Sequence, residues 1–443
     1  MREMKGSGIP WIGKVPSNWL VEPIFSDFVE VTRKNKFGRE KKALKFTYGE
    51  IVPKANFDAD NDNYVADTIL KYTIVEPGTI MLNGLNLNYD FISQRIGLVK
   101  QKGVITSAYT AFKPINMQKI SSKYSTYLFK AYDNCKAFHN MGGGVRKILN
   151  FKELSKQPFI HPPIGEQHRI ADYLDTKCAR IDSIRKNVEA EIEALKQYKQ
   201  SVITEAVTKG LDKNVEMKDS GIPWIGKIPK DWTNKRIKYL LLARDGGSWG
   251  TDPTAYNKGT ICMRIADFDF DNGEFAKKPV ESLTRRVYTK RQIQKLQLQK
   301  NDICIEKSGG GEKTPVGRAV IFNKSYLALF ANFMDRLRFD SSKVNPVFAE
   351  YWFRAWYSCK GSPYYINQTT GIQNINLTLM MSKEKMFFPS VHEQQRITDF
   401  LDSKCAKIDS IIQKKQELLA NLDTYKKSLI YEYVTGKKEV PAV

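Results

Sequence analysis

The phrase SGIPWIGKVPSNW at residues 7–19 returns 213 positions later as SGIPWIGKIPKDW at 220–232, with ten of thirteen positions identical. A chain that writes one irregular phrase twice is constrained to fold as two versions of one unit. Each copy holds two prolines, two glycines and two tryptophans, so it reads as a rigid loop with aromatic anchors rather than a helix or strand. The duplication recurs further on. GGVRKILNFKELSKQPFIHPPIGEQHRIADYLDTKCARIDSI, from Gly143, lines up with TGIQNINLTLMMSKEKMFFPSVHEQQRITDFLDSKCAKIDSI, from Thr370, at an offset of 227. The two offsets differ by 14, so the middle of the second half is longer by that amount. Between the shared ends the sequences diverge almost completely. Like flanks around unlike middles describe a common scaffold that presents two different surfaces.

The repeated C-terminal segments read as long helices. Leu174, Ile181, Val188, Leu195 and Val202 fall seven apart, and Ile170, Cys178, Ile184, Ile192, Tyr198 and Ala206 form a second, less regular stripe. In the second copy Leu401, Ile408, Leu422 and Leu429 keep the same phase, broken only at Lys415 and flanked by Ile412, Leu419 and Tyr433. A heptad with charged outer faces points to a coiled coil. Ser390 and Glu393 have capping-box spacing, the first copy has a Pro-Pro start instead, and Gly210 and Gly436 stand where the helices should end. About forty residues per helix gives a rod of about 60 Å. Antiparallel pairing of the two helices within one chain is the most economical arrangement and relates the halves by an approximate two-fold. A parallel pair or two independently docked helices are the alternatives.

The expected fold is α+β: two mixed α/β domains joined by two long helices forming an antiparallel coiled coil, with a pseudo-two-fold internal repeat. The divisions fall at 1–160, 161–210 for the first helix, 211–388 with a short linker at 211–219, and 389–443 for the second helix and tail. Strands are expected at 72–75, 79–82, 96–99, 303–305 and 320–322. Shorter helices are expected at 121–138 and 346–357, which align as YLFKAY with YWFRAW.

Chemistry is constrained mostly by what the sequence lacks. No GxxxxGK[ST] phosphate loop occurs, and GGGEKT at Gly309 has the wrong spacing and reads as a turn between strands. The four histidines, His139, His161, His168 and His392, show no metal-ligand spacing. No GxSxG elbow or nucleophile–base dyad stands out. NPVF at Asn345 superficially resembles the base-holding motif of amino-methyltransferases. It lacks the second proline and a glycine-rich cofactor loop, and aligns with the helix start at Ser121–Ser122. The chain is therefore expected to be non-catalytic, with no metal and no cofactor of its own. Six scattered cysteines without a CxxC, no apolar run of membrane-spanning length and an opening MREMKGSGIPW without signal-peptide character suit a cytoplasmic protein without membrane contact.

A formal charge of +22 points to a polyanionic partner. TRKNKFGREKKALKF clusters Lys34, Lys36, Arg39, Lys41 and Lys42. TRRVYTKRQIQKLQLQK clusters Arg285, Arg286, Lys290 and Arg291. Such clusters suit phosphate contact, although any single lysine reads equally as a solvated face. Reading bases requires forked or amide donors on short loops. NGLNLNYDFISQR offers Asn83, Asn86, Asn88, Gln94 and Arg95, and EKSGGGEKTPVGR offers Lys307, Ser308, Lys313, Thr314 and Arg318. The glycines there would permit close backbone approach to a groove; an ordinary polar turn is the plainer alternative. Arg146–Lys147 and Gln373–Asn374 occupy equivalent places after the repeated glycines.

Over essentially its whole length the chain resembles the specificity subunit of type I restriction–modification systems. The resemblance rests on SGIPWIG..P..W twice, the glycine-led G[VI] segment, and P(x)3EQ(x)RI(x)D(x)LD(x)KC at the head of each helix. It implies two target-recognition domains, each reading one part of a split, asymmetric double-stranded DNA sequence, with the helices as spacer. It also implies docking of methyltransferase subunits and a motor-nuclease subunit, with S-adenosylmethionine, ATP and Mg on those partners. Base-contacting residues do not carry over, because those regions vary. Two rivals remain at this point: a methyltransferase or nuclease with unrecognised motifs, and a nucleic-acid-binding scaffold that reads structure or RNA.

Overall fold

A computed structural model describes residues 2–55, 68–87, 94–141, 147–369 and 371–441. The chain forms two compact units, Met1–Glu189 with Gln416–Val443, and Ala190–Lys415. This division falls inside the long helices. The reason is packing. Leu174, Cys178 and Ile181 of one helix and Leu429, Ile430, Tyr433 and Val434 of the other share one apolar cluster with Trp19, Tyr124 and Phe129 of the first unit.

In that unit a four-stranded antiparallel sheet runs in the order Phe28–Glu30, Thr110–Pro114, Ile80–Leu82, Ile96–Leu98. Thr73–Val75 pairs with Gly103–Ile105, and Leu44–Thr47 forms a hairpin with Glu50–Pro53. Helix Ser122–Asn134 covers the sheet, its start capped by Ser121, whose side chain accepts from Tyr124 N. Its inner face meets Phe28, Phe112 and Phe159 edge-on or tilted around Phe129. A cluster of four such rings is favoured beyond simple burial by quadrupole-matched geometry.

The second unit carries a six-stranded sheet ordered Leu241–Gly246, Met334–Phe339, Ile303–Glu306, Ala319–Ile321, Glu274–Phe275, Phe268–Asp269. Thr260–Met263 lies between Arg285–Arg286 and Ala328–Phe330, parallel to the latter. Helix Pro346–Ser358 starts on Asn345, whose side chain accepts from Val347 N at 2.9 Å. Asn-Pro here is thus an N-cap followed by a first-turn proline, which has no amide hydrogen to leave unsatisfied.

The duplicated phrases fold alike. Ser7 N donates to Gly13 O, and Ile12 N and Gly13 N to Ile9 O; Ser220, Ile225, Gly226 and Ile222 repeat these bonds. Each phrase follows a short strand and runs into its antiparallel partner, Met4–Gly6 with Lys14–Pro16 and Met217–Asp219 with Lys227–Pro229. Trp19 and Trp232 are buried, edge-on to Tyr124 and Phe348. In both units the strand after the phrase pairs with the strand before a long helix, Leu20–Pro23 with Pro158–His161 and Thr233–Arg236 with Lys385–Phe388.

The long helices are Ile164–Lys209 and Val391–Val434. Leu174, Ile181, Val188, Leu401, Ile408 and Leu429 are buried, while Leu195, Val202 and Leu422 are half-buried. In the first unit Tyr173 meets Tyr433, Asp182 meets Lys426 at 2.6 Å and Arg185 meets Asp423 at 3.1 Å. In the second, Lys415 meets Glu191 and Lys199 meets Asp409 at 2.7 Å. Within each unit one residue number rises as its partner's falls.

Candidate nucleic-acid interface

The first basic segment is a surface by construction. Asn35 is buried, and its side chain accepts from Glu40 N at 3.1 Å and donates to Glu40 O at 2.8 Å. That clasp closes the loop and turns its cations outward. Lys36, Arg39, Lys41 and Lys42 are exposed. Lys34 is exposed too, with its ammonium on Thr73 and Ser107. Arg39 lies over Phe37 at 5.5 Å, and Lys42 donates to Gln101 at 2.7 Å.

The loop that follows strand Ile80–Leu82 divides its candidates. Asn86 and Gln94 are exposed, and Asn83 is half-buried with its amide oxygen on Leu85 N. Asn88 and Arg146 lie outside the described residues. Arg95 must be reassigned. It is 1% exposed, and its guanidinium donates to the carbonyls of Asn83, Leu85 and Asn86. A buried guanidinium that satisfies three loop carbonyls shapes the loop and offers no fork to a base. Lys147 O accepts from Leu87 N, tying the second candidate segment to the same loop. Gly84 also serves the fold: a Cβ there would sit 2.0 Å from Leu149 O, so the close approach it permits is to this chain's own backbone.

In the second unit the glycine-rich stretch is a turn between strands, as the sequence suggested. Gly311 and Thr314 exchange backbone bonds, and Gly309 and Gly310 have φ of 118° and 59°. Strand Ser308–Gly309 pairs with Ile372–Ile375, so Ser308 reaches Asn374 Oδ1 at 2.6 Å. These two candidates, distant in sequence, therefore share one edge. Lys313, Thr314 and Asn374 are exposed, and Lys307 pairs with Asp335 at 2.9 Å.

Three further candidates are committed internally. Gln373 is buried, with its amide oxygen on Val316 N at 3.3 Å. Arg318 grips Glu306 with two bonds and lies over Phe270 at 3.7 Å. Arg286 is largely buried, stacked on Trp249 at 4.6 Å and paired with Asp252. Its neighbour Arg285 is exposed, as are Lys290 and Arg291 on the short helix Lys290–Leu296, which Thr289 and Gln292 close with a capping box.

Aromatic side chains, none of them among the candidates above, also stand out of these surfaces. Phe37 and Tyr48 of the first unit, and Trp249, Tyr256 and Phe333 of the second, are exposed. Trp249 and Phe333, with Arg264, Ile265, Ala266, Ala331 and Asn332, line a cavity of about 460 Å³. Exposed aromatics interleaved with cations are the signal that was available, since both nucleobases and sugars pack on rings.

Glu22, Asp27 and His161 bring three metal-capable atoms together in the first unit. Lys119 already occupies that position as a cation, bonding Glu22 at 3.0 Å and Asp27 at 2.9 Å. Its ammonium, followed by His161, holds the Glu22 carboxyl below its ordinary range. The cluster reads as a structural ion network. No helix among the described residues is long and apolar enough to cross a membrane.

The family model described as type I restriction modification DNA specificity domain matches residues 26–194 and 229–420. The specificity subunit of the Escherichia coli type I restriction enzyme EcoBI is 24% identical over 308 residues, spanning 66% of this chain and 60% of that protein. The Salmonella potsdam StySPI specificity subunit is 22% identical over 453 residues, spanning 96% of this chain and 90% of that protein. Among solved structures, one from a study of assembly and conformational transition of the type I R-M system aligns at TM-score 0.67 and 13% identity, covering 96% of this chain and 99% of its own. The HsdS subunit from Thermoanaerobacter tengcongensis aligns at TM-score 0.50 and 14% identity, covering 96% and 98%. With the family matched in both repeats and the same scaffold contacts written twice, the chain belongs to the type I restriction–modification DNA specificity family.

Proposed function

We propose that this chain is the sequence-specific double-stranded DNA-binding subunit of a type I restriction–modification complex, reading an asymmetric bipartite target with one domain per half-site. It is a non-catalytic targeting subunit that docks methyltransferase and restriction subunits in the cytoplasm; S-adenosylmethionine, ATP and Mg act on those partners. One observation carries this reading: a duplicated scaffold, with a set of contacts made in both copies, presents two unlike surfaces. Gln167 accepts from Ser121 N and donates to the carbonyls of Pro162 and Lys119; Gln394 does the same with Asn345, Pro389 and Lys343. Tyr127 bonds Asp175 at 2.8 Å and Tyr351 bonds Asp402 at 2.7 Å. Equal frames with different faces suit equal docking of partners and different reading of bases.

The two long helices serve as an antiparallel coiled-coil spacer under a pseudo-two-fold. What supports this is the offset of 227, which equates Asp182 with Asp409 and Lys199 with Lys426. The pairs Asp182–Lys426 and Lys199–Asp409 are then one ion pair written twice with the helices exchanged. Five heptad-spaced apolar side chains on the first helix and four on the second, at ~1.5–3 kcal/mol each when fully buried, are ample to hold such a pair.

The test is selection from a randomised duplex library by the full chain with its methyltransferase partners, followed by a salt titration. Two short fixed blocks separated by an unread gap are expected. Replacing Lys34, Lys36, Lys41 and Lys42 together should flatten the dependence of log affinity on log salt, by up to ~0.9 per lost phosphate contact, without altering the selected blocks. Equal binding to random duplex, or preference for RNA, contradicts the reading.

A further inference from the structure

Each unit carries an exposed tyrosine on a two-residue turn, at the tip of a β-hairpin in the first and in a loop in the second. In the first unit, strands Leu44–Thr47 and Glu50–Pro53 are in register up to Thr47 opposite Glu50, leaving Tyr48 and Gly49 as a two-residue turn. Both have left-handed backbones, φ 47° and 79°. Such turns favour asparagine, aspartate or glycine at the first position, because a Cβ is crowded there. A tyrosine in that position is costly for the hairpin and, 74% exposed among the described residues, recovers little of that cost in packing. Observed backbone strain without a folding purpose is a pointer to function.

The second unit presents a tyrosine on a two-residue turn too, from unrelated sequence and without flanking strands or a left-handed backbone. Thr254 N donates to Asn257 O at 3.0 Å and Asn257 N to Thr254 O at 3.3 Å, so Ala255 and Tyr256 form the tip. Tyr256 is fully exposed. The two tips arise inside the stretches where the repeats do not match, so common descent of the scaffold does not account for them.

Both tips stand among the cations already described. Gly49 packs against Gln94, close enough that a Cβ would fall 2.7 Å from its side chain, which sets Tyr48 beside an exposed amide. Lys45 is exposed on the hairpin's first strand. The second loop is fastened to the other basic segment by the Thr251–Val287 bridge, the Arg286–Asp252 pair and Arg285 Nη1 on Gly259 O at 3.2 Å. Lys258 follows its tip, exposed.

We propose that Tyr48 and Tyr256 are the probes with which the two units engage duplex DNA, one tyrosine for each half-site. A two-residue turn is thin enough to enter a groove, the surrounding cations hold the phosphates, and the ring packs against a base or sugar at the step it meets. This rests on the DNA-reading proposal and adds the residue that makes the contact in each unit.

The experiment uses the full chain with its methyltransferase partners on its selected target and on duplexes with either block scrambled. Tyr48→Ala and Tyr256→Ala each lose roughly 5- to 100-fold in affinity for the intact target. Tyr48→Ala binds a duplex lacking one block as wild type does, and Tyr256→Ala does so for the other block. The phenylalanine variants keep most of the affinity. Tyr48→Asn is the discriminating case: asparagine suits the left-handed turn, so its melting temperature holds or rises while its affinity falls as far as that of Tyr48→Ala. Because no phosphate contact is removed, the salt slope stays at the wild-type value. Alanine variants within two-fold of wild type, or an affinity loss that Tyr48→Asn restores, overturn the assignment. A wild-type chain without sequence preference overturns the DNA-reading proposal itself, which separates the two failures.

Discussion

Glu350 shows how one residue couples burial to pH. It lies on helix Pro346–Ser358, is buried, and has Arg354 Nε 3.7 Å from its carboxylate. Burial pushes its carboxyl up to about 8, with Arg354 opposing. In the unfolded chain the proton leaves near the ordinary glutamate value, whereas the folded chain keeps it to about 8. The unfolded state therefore binds fewer protons between those values, and stability falls as pH rises through that window and levels off above it. Glu350→Gln removes the effect. The gain should be on the order of a few kcal/mol at pH 8 and small near pH 5, read from denaturant midpoints at both values. Equal gains at both pH values would contradict the burial argument. At this scale the sequence was only half legible. The cation clusters were visible because Lys36, Arg39, Lys41 and Lys42 are exposed. Arg95, Arg286 and Arg318 look the same in a string of letters, yet they are held by the Asn83–Asn86 carbonyls, Asp252 and Glu306. Only the partner distinguishes a structural guanidinium from a reading one, and those partners lie up to 34 positions away in sequence.

Among the elements, the long helices were the most legible. Their seven-residue phase survives as buried Leu174, Ile181, Val188, Leu401, Ile408 and Leu429. They end where the glycines suggested, since Gly210 and Gly436 adopt φ of 74° and 68°. Ser390 caps the second through Glu393 N at 3.3 Å. Strand positions were also legible, because short apolar runs such as Ile303–Glu306 are bounded by turn residues. Sheet order was not, since which strands pair depends on contacts across long loops. The lysines in the helix stripe were equally opaque. Lys199 and Lys426 hold equivalent places in the repeat, yet the side chain of Lys199 is 7% exposed and that of Lys426 24%. Lys199 also donates to Asp271 O at 2.8 Å, which ties the helix to the turn after strand Phe268–Asp269. Lys199→Ala should cost roughly 2–3 kcal/mol, less than the ~3–5 kcal/mol of a fully buried pair because Asp409 stays partly open to water. Lys426→Ala should cost under ~1 kcal/mol, as for an exposed pair. Unfolding curves of the two variants in the full chain decide it, and equal costs would mean that burial does not set the value of this pair.

At the scale of the whole molecule, the duplication explains why each end of the chain is needed. Tyr431 donates to Trp11 O at 2.9 Å, Lys437 to Ile12 O at 2.8 Å, and Tyr124 to Val434 O at 2.9 Å. The tail of the second helix thus closes the first copy of the repeated phrase, with Gly436 against Pro16 and Trp19. The end of the first helix closes the second copy likewise, with Gly210 against Trp232 and Pro229. A fragment of residues 1–213 lacks 416–440 but carries 189–213, which the offset of 227 makes their equivalent. A second copy of the fragment can supply those residues in an isologous contact. The account therefore predicts that the fragment dimerises. Mapping methylated sites in cells that carry the partner subunits, with the full chain and then with the fragment in its place, tests this most directly. The full chain should mark an asymmetric pair of short blocks, and the fragment a palindrome made from one block and its inverted copy. An asymmetric target retained by the fragment, or a fragment that stays a folded monomer, would contradict the reading of this chain as one unit written twice.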